Sequence, residues 1–324
     1  MNNKIYCLGE TISDLIFKTE EAKVINEKEK LLCFEYGEKI AVQEFIQAFG
    51  GSAFNVSVGL QKMNFDPKII SSIGSDSRGK EIMQEVEKMG MDSSFLVESK
   101  ESATKTSAIL ISPDGDRTIL VYHGKNSLSE NVIDWDKIEE NSWFFLGPLP
   151  DGTQELIDKV VDVVQSKKIK LIVNPGVEQV KWGREGSSKI IAASEIYILN
   201  MNEASDMLNI DEEKQALEEI IKLGAKQVII TKGEEGVIAK AKYSSHSLSA
   251  FKAKMIDSTG AGDSFNVGVI GALMNGRSFD EALLWGAING ASTVEKFGAQ
   301  AGFLTIEEIE EKIKENSDYK PKIM

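Results

Sequence analysis

The chain has 324 residues, of which 42% are hydrophobic and 27% are charged. These are the proportions of a globular protein with a large core. Its 37 basic and 51 acidic residues give a net charge of −14, which argues against a nucleic-acid or anionic-membrane surface. Two cysteines and two histidines are too few for a disulfide framework or a zinc site. Because the sequence has neither a signal-peptide pattern nor a bilayer-length apolar stretch, we expect a cytoplasmic protein without membrane contacts.

Strand and helix patterns alternate along most of the chain. Strand patterns occur at residues 4–9, 68–73, 143–146, 170–173, 196–199 and 227–231. Helical patterns occur at residues 53–63, 79–89, 155–165 and 212–223, and Gly90 has the position of a C-cap. Repeated strand–helix units predict a three-layer α/β fold, with a mostly parallel central sheet and helices on both of its faces.

Two segments, residues 11–47 and 104–124, interrupt this alternation and carry β-type patterns instead. In the second segment, the turn signal Asp114-Gly115 separates strand patterns at residues 106–112 and 117–122. Because no linker or repeat divides the chain, we expect one domain, residues 1–324, with a small β-sheet lid built from both segments. The first segment is long for a lid. It can shape a pocket or pair with a second copy of the chain through exposed strand edges.

A small-residue loop, residues 257–265, leads into an apolar helical segment. Gly260 and Gly262 lack a Cβ, so the backbone can approach a ligand closely. The N–H groups and the dipole of the following helix favour an anion there. Asp263 places a carboxylate in this anion site, where it can accept the proton of a hydroxyl group that attacks a phosphoryl group. The alternative is an ordinary acidic residue at a helix start.

Other phosphate-binding motifs fit less well. Residues 74–80 have the spacing of a P-loop, but Glu81 stands where a Mg²⁺-binding Ser or Thr is needed. The strand pattern at residues 4–9 is not followed by the glycines of a dinucleotide-binding turn. We therefore expect neither a P-loop nor a nicotinamide site.

Two motifs in order carry a family resemblance: residues 50–56 (GGSAFNV) followed by Leu60, and residues 257–265 (DSTGAGDSF). The chain resembles the ribokinase-like (PfkB) carbohydrate kinases over residues 9–302. The resemblance implies a ribokinase-like fold and an ATP-dependent kinase that uses Mg²⁺. The implied acceptor is a primary hydroxyl of a small neutral sugar of the fructose or ribose class.

The resemblance also implies roles for individual residues. The implied catalytic base is Asp263, and its anion hole is formed by the amides of Gly260, Ala261 and Gly262. The implied substrate-binding residues are Asp14, Gly50, Gly51 and Asn55. The implied Mg²⁺ and nucleotide residues are Asn200, Glu203, Thr231, Gly233, Gly236 and Asn289. The implied potassium site combines the carboxylate of Asp257 with carbonyl groups of Thr259, Thr293, Lys296 and Gly298.

Several of these residues have structural alternatives. Glu203 can be an acidic residue at a helix start, Asn55 a polar residue on a helix, and Gly233 and Gly236 part of an ordinary hairpin. Where many relatives carry Asp-x-Asn-x-Arg, residues 174–178 read NPGVE. This departure disfavours acidic sugars, because a carboxylate is usually held by Arg.

Two other functions stay open. A nucleoside could be the acceptor, with an aromatic residue stacking on its base; the candidates are Phe17, Tyr36 and Phe45. A non-catalytic sugar or nucleotide sensor is the other alternative, although the intact loop around Asp263 argues against it. Arg117, in the lid hairpin, can supply a cation to the pocket or be a solvated turn residue.

Overall fold

The computed structural model describes residues 3–26, 30–114, 117–124 and 128–324. The strands of this part of the chain, β1 to β16 in chain order, are Lys4–Leu8, Ile12–Lys18, Lys23–Asn26, Lys30–Cys33, Glu44–Gly50, Asp66–Gly74, Leu96–Ser99, Thr106–Ile111, Arg117–Tyr122, Trp143–Leu146, Lys170–Val173, Ile196–Asn200, Gln227–Thr231, Val237–Ala241, Ser245–Leu248 and Lys322–Ile323. Its helices, α1 to α11 in chain order, are Ser52–Lys62, Ser77–Lys88, Gln154–Ser166, Val177–Lys181, Gly183–Gly186, Ser188–Ala193, Met201–Leu208, Glu213–Lys222, Ala261–Met274, Phe279–Val294 and Ile306–Glu315.

Ten strands form the central sheet, in the order β16-β15-β14-β13-β12-β11-β10-β1-β6-β7. Neighbouring strands are parallel in the part of the sheet ordered β13-β12-β11-β10-β1-β6-β7. Strands β14, β15 and β16 extend the sheet beyond β13 in antiparallel fashion. The predicted mostly parallel sheet is confirmed. The antiparallel edge was not predicted, because its short strands give only a weak pattern.

Alternating side chains of the parallel strands face two separate apolar layers. On β1, Ile5 and Cys7 pack into a layer that includes residues of α1, α9 and α10, whereas Tyr6 and Leu8 pack into a layer that includes residues of α3 and α8. Burial on both faces explains why these strands read as continuous apolar runs. The sheet therefore has helices on both sides, as the three-layer prediction required.

Most predicted elements lie within one or two residues of the observed ones. The strands at residues 143–146, 170–173 and 227–231 match their predicted bounds. Gly90 follows the end of α2 with a φ of +73°, which is the left-handed conformation of a glycine C-cap.

A second sheet of four strands, in the order β5-β2-β8-β9, is called the lid. Its β2–β8 pair is parallel and its β2–β5 and β8–β9 pairs are antiparallel. Ile16, Ile109 and Ile111 form an apolar cluster on one of its faces. The small sheet expected from the two β-rich segments is thus present. Of the predicted Asp114-Gly115 turn, Gly115 lies outside the described residues, and the organisation as one kinase domain stays a prediction.

Candidate active site

The loop of residues 257–263 lies between two cavities. The first, called the lid cavity, has a volume of about 390 Å³, and its walls include Asp14, Asp257 and Thr259. The second, called the β13–β14 cavity, has a volume of about 480 Å³, and its walls include Ala261 and Gly262. A loop with one cavity on each side can hold a phosphate group from either direction.

Gly260 gives this loop its shape. Its φ is +76°, and it precedes the first turn of α9. A Cβ at this position would lie 2.6 Å from the Cα of Ala299, so only glycine fits without displacing the backbone. The N–H groups at the start of α9 lack partners within the helix, although that of Ala261 donates to the Ser258 carbonyl at 3.3 Å. The glycine turn therefore shapes the start of α9, where the predicted anion-hole amides lie, and their role stays a prediction.

Asp263 lies in the first turn of α9 and accepts a hydrogen bond from Asn55 Nδ2 at 2.8 Å. Asp263 as a whole residue is partly exposed, whereas its carboxyl group is surrounded by protein atoms. This burial raises the pKa of Asp263 to about 6, against the opposing effect of the Asn55 hydrogen bond. Asp263 is thus an ionised carboxylate at neutral pH with the raised basicity that a proton acceptor needs.

The four residues predicted to bind the substrate lie together beside Asp263. A Cβ on Gly50 would lie 2.7 Å from Asp14 Oδ2 and 3.9 Å from Asn55 Oδ1. Gly51 has a φ of +92°, and its Cβ would lie 2.3 Å from the Glu10 carbonyl oxygen. Burial raises the pKa of Asp14, and a hydrogen bond from the Ser107 hydroxyl opposes this. The glycines thus let the backbone pass close to an enclosed acid and amide pair.

Three of the predicted nucleotide residues, Thr231, Gly233 and Gly236, line the β13–β14 cavity. Asn200 is the register partner of Thr231 at the carboxyl ends of β12 and β13, which places it near the same cavity. Asn200 Oδ1 accepts from the Glu203 N–H at 2.9 Å, and Glu203 Oε2 accepts from the Asn200 N–H at 2.8 Å. The two residues therefore form a capping box of α7, which is the structural alternative; their role toward Mg²⁺ and nucleotide stays a prediction.

Burial raises the pKa of Glu203, against the Asn200 hydrogen bond. In the described part of the chain, no three His, Cys, Asp or Glu side chains cluster as a metal site. Mg²⁺ in kinases is held by one or two carboxylates together with phosphate oxygens. Glu203, in the first turn of α7, can supply one such carboxylate.

One predicted nucleotide residue, Asn289, does not reach the cavity. Its side chain is fully buried; Nδ2 donates to the Ser264 carbonyl at 2.7 Å and Oδ1 accepts from the Leu304 N–H at 2.9 Å. The nucleotide role of Asn289 stays a prediction, and this packing does not favour it. Asn289 joins α10 to α9, and its neighbours Gly290 and Ala291 line the cavity instead.

The predicted potassium site is centred on Asp257, which is 7% exposed. Its Oδ1 accepts from the Thr259 N–H at 2.9 Å, from Thr259 Oγ1 at 2.7 Å and from Arg117 Nη1 at 3.0 Å. Its Oδ2 accepts from the Gly298 N–H at 3.0 Å. Burial acts to raise the pKa of Asp257, but the Thr259 and Gly298 hydrogen bonds and the Arg117 charge outweigh it and hold this pKa below its usual value.

A monovalent cation fits this site poorly. The carboxylate already faces a guanidinium group, and two like charges on one carboxylate repel each other. The carbonyl of Thr293 also accepts the Lys296 N–H at 3.1 Å. The potassium site stays a prediction, and the geometry does not favour it.

The residues considered for base stacking do not line the lid cavity. Phe17 and Phe45 pack against each other, with ring centroids 5.3 Å apart, and Tyr36 is fully exposed. The aromatic residues that do line the lid cavity are Phe49, Phe54 and Phe297.

The rejected P-loop segment has a packing role. A Cβ on Gly79 would lie 1.9 Å from the Gly74 carbonyl oxygen, so Gly79 allows the start of α2 to approach the end of β6. Asp76 caps α2 by accepting from the Gly79 N–H at 3.1 Å. The glycines of this segment are therefore explained without a phosphate.

Two contacts of the site were not predicted. Gln300 Nε2 donates to Asn55 Oδ1 at 2.9 Å and to the Phe49 carbonyl at 2.8 Å, which directs the amide N–H of Asn55 toward Asp263. Arg117 reaches Asp257 from the lid and also lines the lid cavity, so it is not a solvated turn residue. Both contacts join residues far apart in sequence, so local pattern carries no signal for them.

The model of the pfkB family of carbohydrate kinases matches residues 2–306. The chain belongs to this family. It is 27% identical over 278 residues to a ribokinase from Haemophilus influenzae, covering 84% of this chain and 89% of that one. It is 24% identical to a nucleoside kinase from Methanocaldococcus jannaschii, covering 97% of each chain.

Solved structures show the same fold. Arabidopsis thaliana ribokinase, solved with ribose and ATP, superposes with a TM-score of 0.80 at 20% identity, over 97% of this chain and 99% of that one. The pfkB kinase described here is therefore an enzyme that phosphorylates a hydroxyl group, and kinases of its family use ATP, generally with Mg²⁺. None of its described helices is long and apolar enough to cross a bilayer.

Proposed function

We propose that this kinase transfers the terminal phosphoryl group of ATP to a primary hydroxyl of a small neutral sugar of the fructose or ribose class. The position of the residue 257–263 loop as a wall shared by two cavities carries the proposal. The β13–β14 cavity, bordered by the glycines at 233 and 236, receives ATP, and its volume is within the usual range for ligand pockets. The sugar enters the lid cavity beside Asp14.

In this proposal, Asp263 accepts the proton of the attacking hydroxyl as its oxygen bonds to phosphorus. General-base assistance of this kind contributes about 10²–10⁴-fold in rate. Asn55, held by Gln300, keeps the Asp263 carboxylate in position. The amides after Gly260 stabilise the charge on the transferred group. Asn200 and Glu203 would hold Mg²⁺ bound with ATP, which would supply charge neutralisation of the phosphate groups.

The lid limits access of water to the acceptor. The apolar cluster of Ile16, Ile109 and Ile111 faces the lid cavity, and a dry site prevents water from competing with the sugar hydroxyl. Asp14, half-buried at the lid cavity and bonded to Ser107 on the neighbouring strand β8, is placed to bind sugar hydroxyls.

The composition of the lid cavity favours a nucleoside as the second candidate acceptor. Beside its polar and charged residues, its walls carry apolar and aromatic side chains, including Phe54, Met89 and Phe297. Such a surface suits a flat base attached to a ribose. The same base and anion hole would then act on a ribose hydroxyl.

The acceptor is tested by measuring ADP release with ATP and Mg²⁺ against fructose, ribose, 2-keto-3-deoxygluconate and adenosine. We expect release above the acceptor-free background with fructose or ribose, and little with the acidic sugar, since residues 174–178 lack the Arg of many relatives. Release with adenosine alone would replace the sugar by a nucleoside. Background release with every acceptor would contradict the kinase proposal and favour a sensor.

We also propose that two copies associate through the lid. The two edge strands of the lid, β5 and β9, expose large apolar side chains, each 44–58% exposed: Phe45, Ile119, Leu120, Val121 and Tyr122. An exposed apolar edge of this kind is a pairing surface. Light scattering should give twice the 35.6 kDa mass of one chain, and Leu120→Lys should return the monomer mass. A monomer in the unaltered protein would contradict the association.

A further inference from the structure

The ion pair of Arg117 and Asp257 joins the lid to the loop that carries the anion site. Arg117 is the first residue of β9, and Asp257 follows 140 positions later. Nη1 donates to Asp257 Oδ1 at 3.0 Å and Nη2 donates to Ser258 Oγ at 3.2 Å. The planar guanidinium thus holds two consecutive residues at once, which the point charge of an ammonium group does less well.

Asp257 links two chain segments that meet at Gly260, one that precedes it in sequence and one that packs against it. Its carboxylate accepts hydrogen bonds from Thr259, which directly precedes Gly260, and from the Gly298 N–H. Ala299, next to Gly298, is the residue that packs against Gly260. A carboxylate this buried is strongly destabilising without a cation, so the loop geometry at the anion hole depends on a positive charge beside Asp257.

We infer that Arg117 is the built-in cation of the phosphoryl-transfer site, and that it takes the place at Asp257 that the family resemblance assigns to potassium. Oδ1 of Asp257 already accepts three hydrogen bonds, one of them from the guanidinium. A second cation on this carboxylate would be repelled.

Arg117 belongs to the lid, so its charge reaches the residue 257–263 loop only when β9 lies over the lid cavity. Arg117 is a positioning residue, since it acts on the anion hole through Asp257. Two consequences follow: the rate of phosphoryl transfer does not depend on potassium, and removal of Arg117 creates a potassium dependence.

The test compares the unaltered protein with Arg117→Met in KCl and in tetramethylammonium chloride at equal ionic strength. Both kcat and the melting temperature are measured. For the unaltered protein we expect the same kcat, within about twofold, and the same melting temperature in both salts. For Arg117→Met we expect kcat to fall at least about tenfold in tetramethylammonium chloride. Potassium should restore part of it and raise the melting temperature, because only this variant binds the ion.

Lys30→Met is the matched control. Lys30 pairs with Asp114 within the β3–β4 and lid region at 2.9 Å, and both side chains are exposed. Its removal deletes one cation of the same region without touching the residue 257–263 loop. We expect no loss of kcat and no response to potassium.

Several outcomes would overturn the role of Arg117. One is a rise in kcat or melting temperature of the unaltered protein with potassium; another is an Arg117→Met variant that keeps full kcat in tetramethylammonium chloride. If Arg117→Met does not fold, the comparison of the unaltered protein in the two salts still decides. One of the two readouts, kcat, requires the proposed kinase activity, so the role of Arg117 in catalysis rests on the proposed function. Absence of ADP release with every acceptor would contradict that function, and the melting temperatures would still decide on Arg117.

Discussion

Asp263→Asn is expected to lower kcat by about 10²–10⁴-fold, with the KM for ATP almost unchanged. The amide cannot take the proton of the attacking hydroxyl, whereas the β13–β14 cavity and the amides of the loop stay as they are. Steady-state ADP release measures kcat and the KM for ATP, and calorimetry measures nucleotide binding separately.

The variant should fold at least as well as the unaltered protein. Burial raises the pKa of Asp263 to about 6, above its value in the unfolded chain. The folded state therefore prefers the protonated form, and the charged carboxylate is destabilising at pH 7. A neutral amide removes that cost and can still accept the Asn55 hydrogen bond through its oxygen. A lower melting temperature would show that lost activity reflects unfolding.

The control is Asp162→Asn, the same chemical change at an exposed position of α3, for which we expect unchanged kcat. The pH profile gives a second check. Since only the ionised carboxylate accepts a proton, kcat/KM should fall about tenfold per pH unit below the pKa, which burial raises to about 6. A rate that is flat from pH 7 to pH 5, or an Asp263→Asn variant that keeps most of its turnover, would contradict Asp263 as the base.

Gly260→Ala is expected to lower both stability and kcat. The φ of +76° is strained for alanine, and the new Cβ would lie 2.6 Å from Ala299 Cα, so the loop must move. We expect a loss of about 1–3 kcal/mol in the free energy of unfolding. Misplacement of the anion-hole amides should lower kcat by about 10²–10³-fold. Denaturant titration and ADP release measure these effects.

Gly152→Ala separates the two causes. Gly152 has nearly the same φ, +77°, but a Cβ there would meet no atom within 4 Å. This control should lose stability through backbone strain alone and keep its kcat. If Gly260→Ala kept full kcat, the turn at Gly260 would not be needed to aim the amides.

The elements of the central sheet were predictable because burial on both faces leaves a strong local pattern. β10 and β11 are short runs of buried apolar residues whose predicted and observed bounds agree. The antiparallel strands β14 to β16 were missed, since they are short and one of them, Lys322–Ile323, is exposed. Asn289 was assigned to the nucleotide because its sequence position does not reveal that helix packing uses both ends of its amide.

The sequence alone was enough to predict the chemistry of the loop at residues 257–263, because a glycine turn, a helix start and an acidic residue are local features. It also determined the fold class and the family, through patterns and motifs that lie within short windows. Only the tertiary structure decided which distant groups meet at that loop. Arg117 and Gln300 reach Asp257 and Asn55 across 140 and 245 positions, and such pairs arise from how the lid and the helices pack.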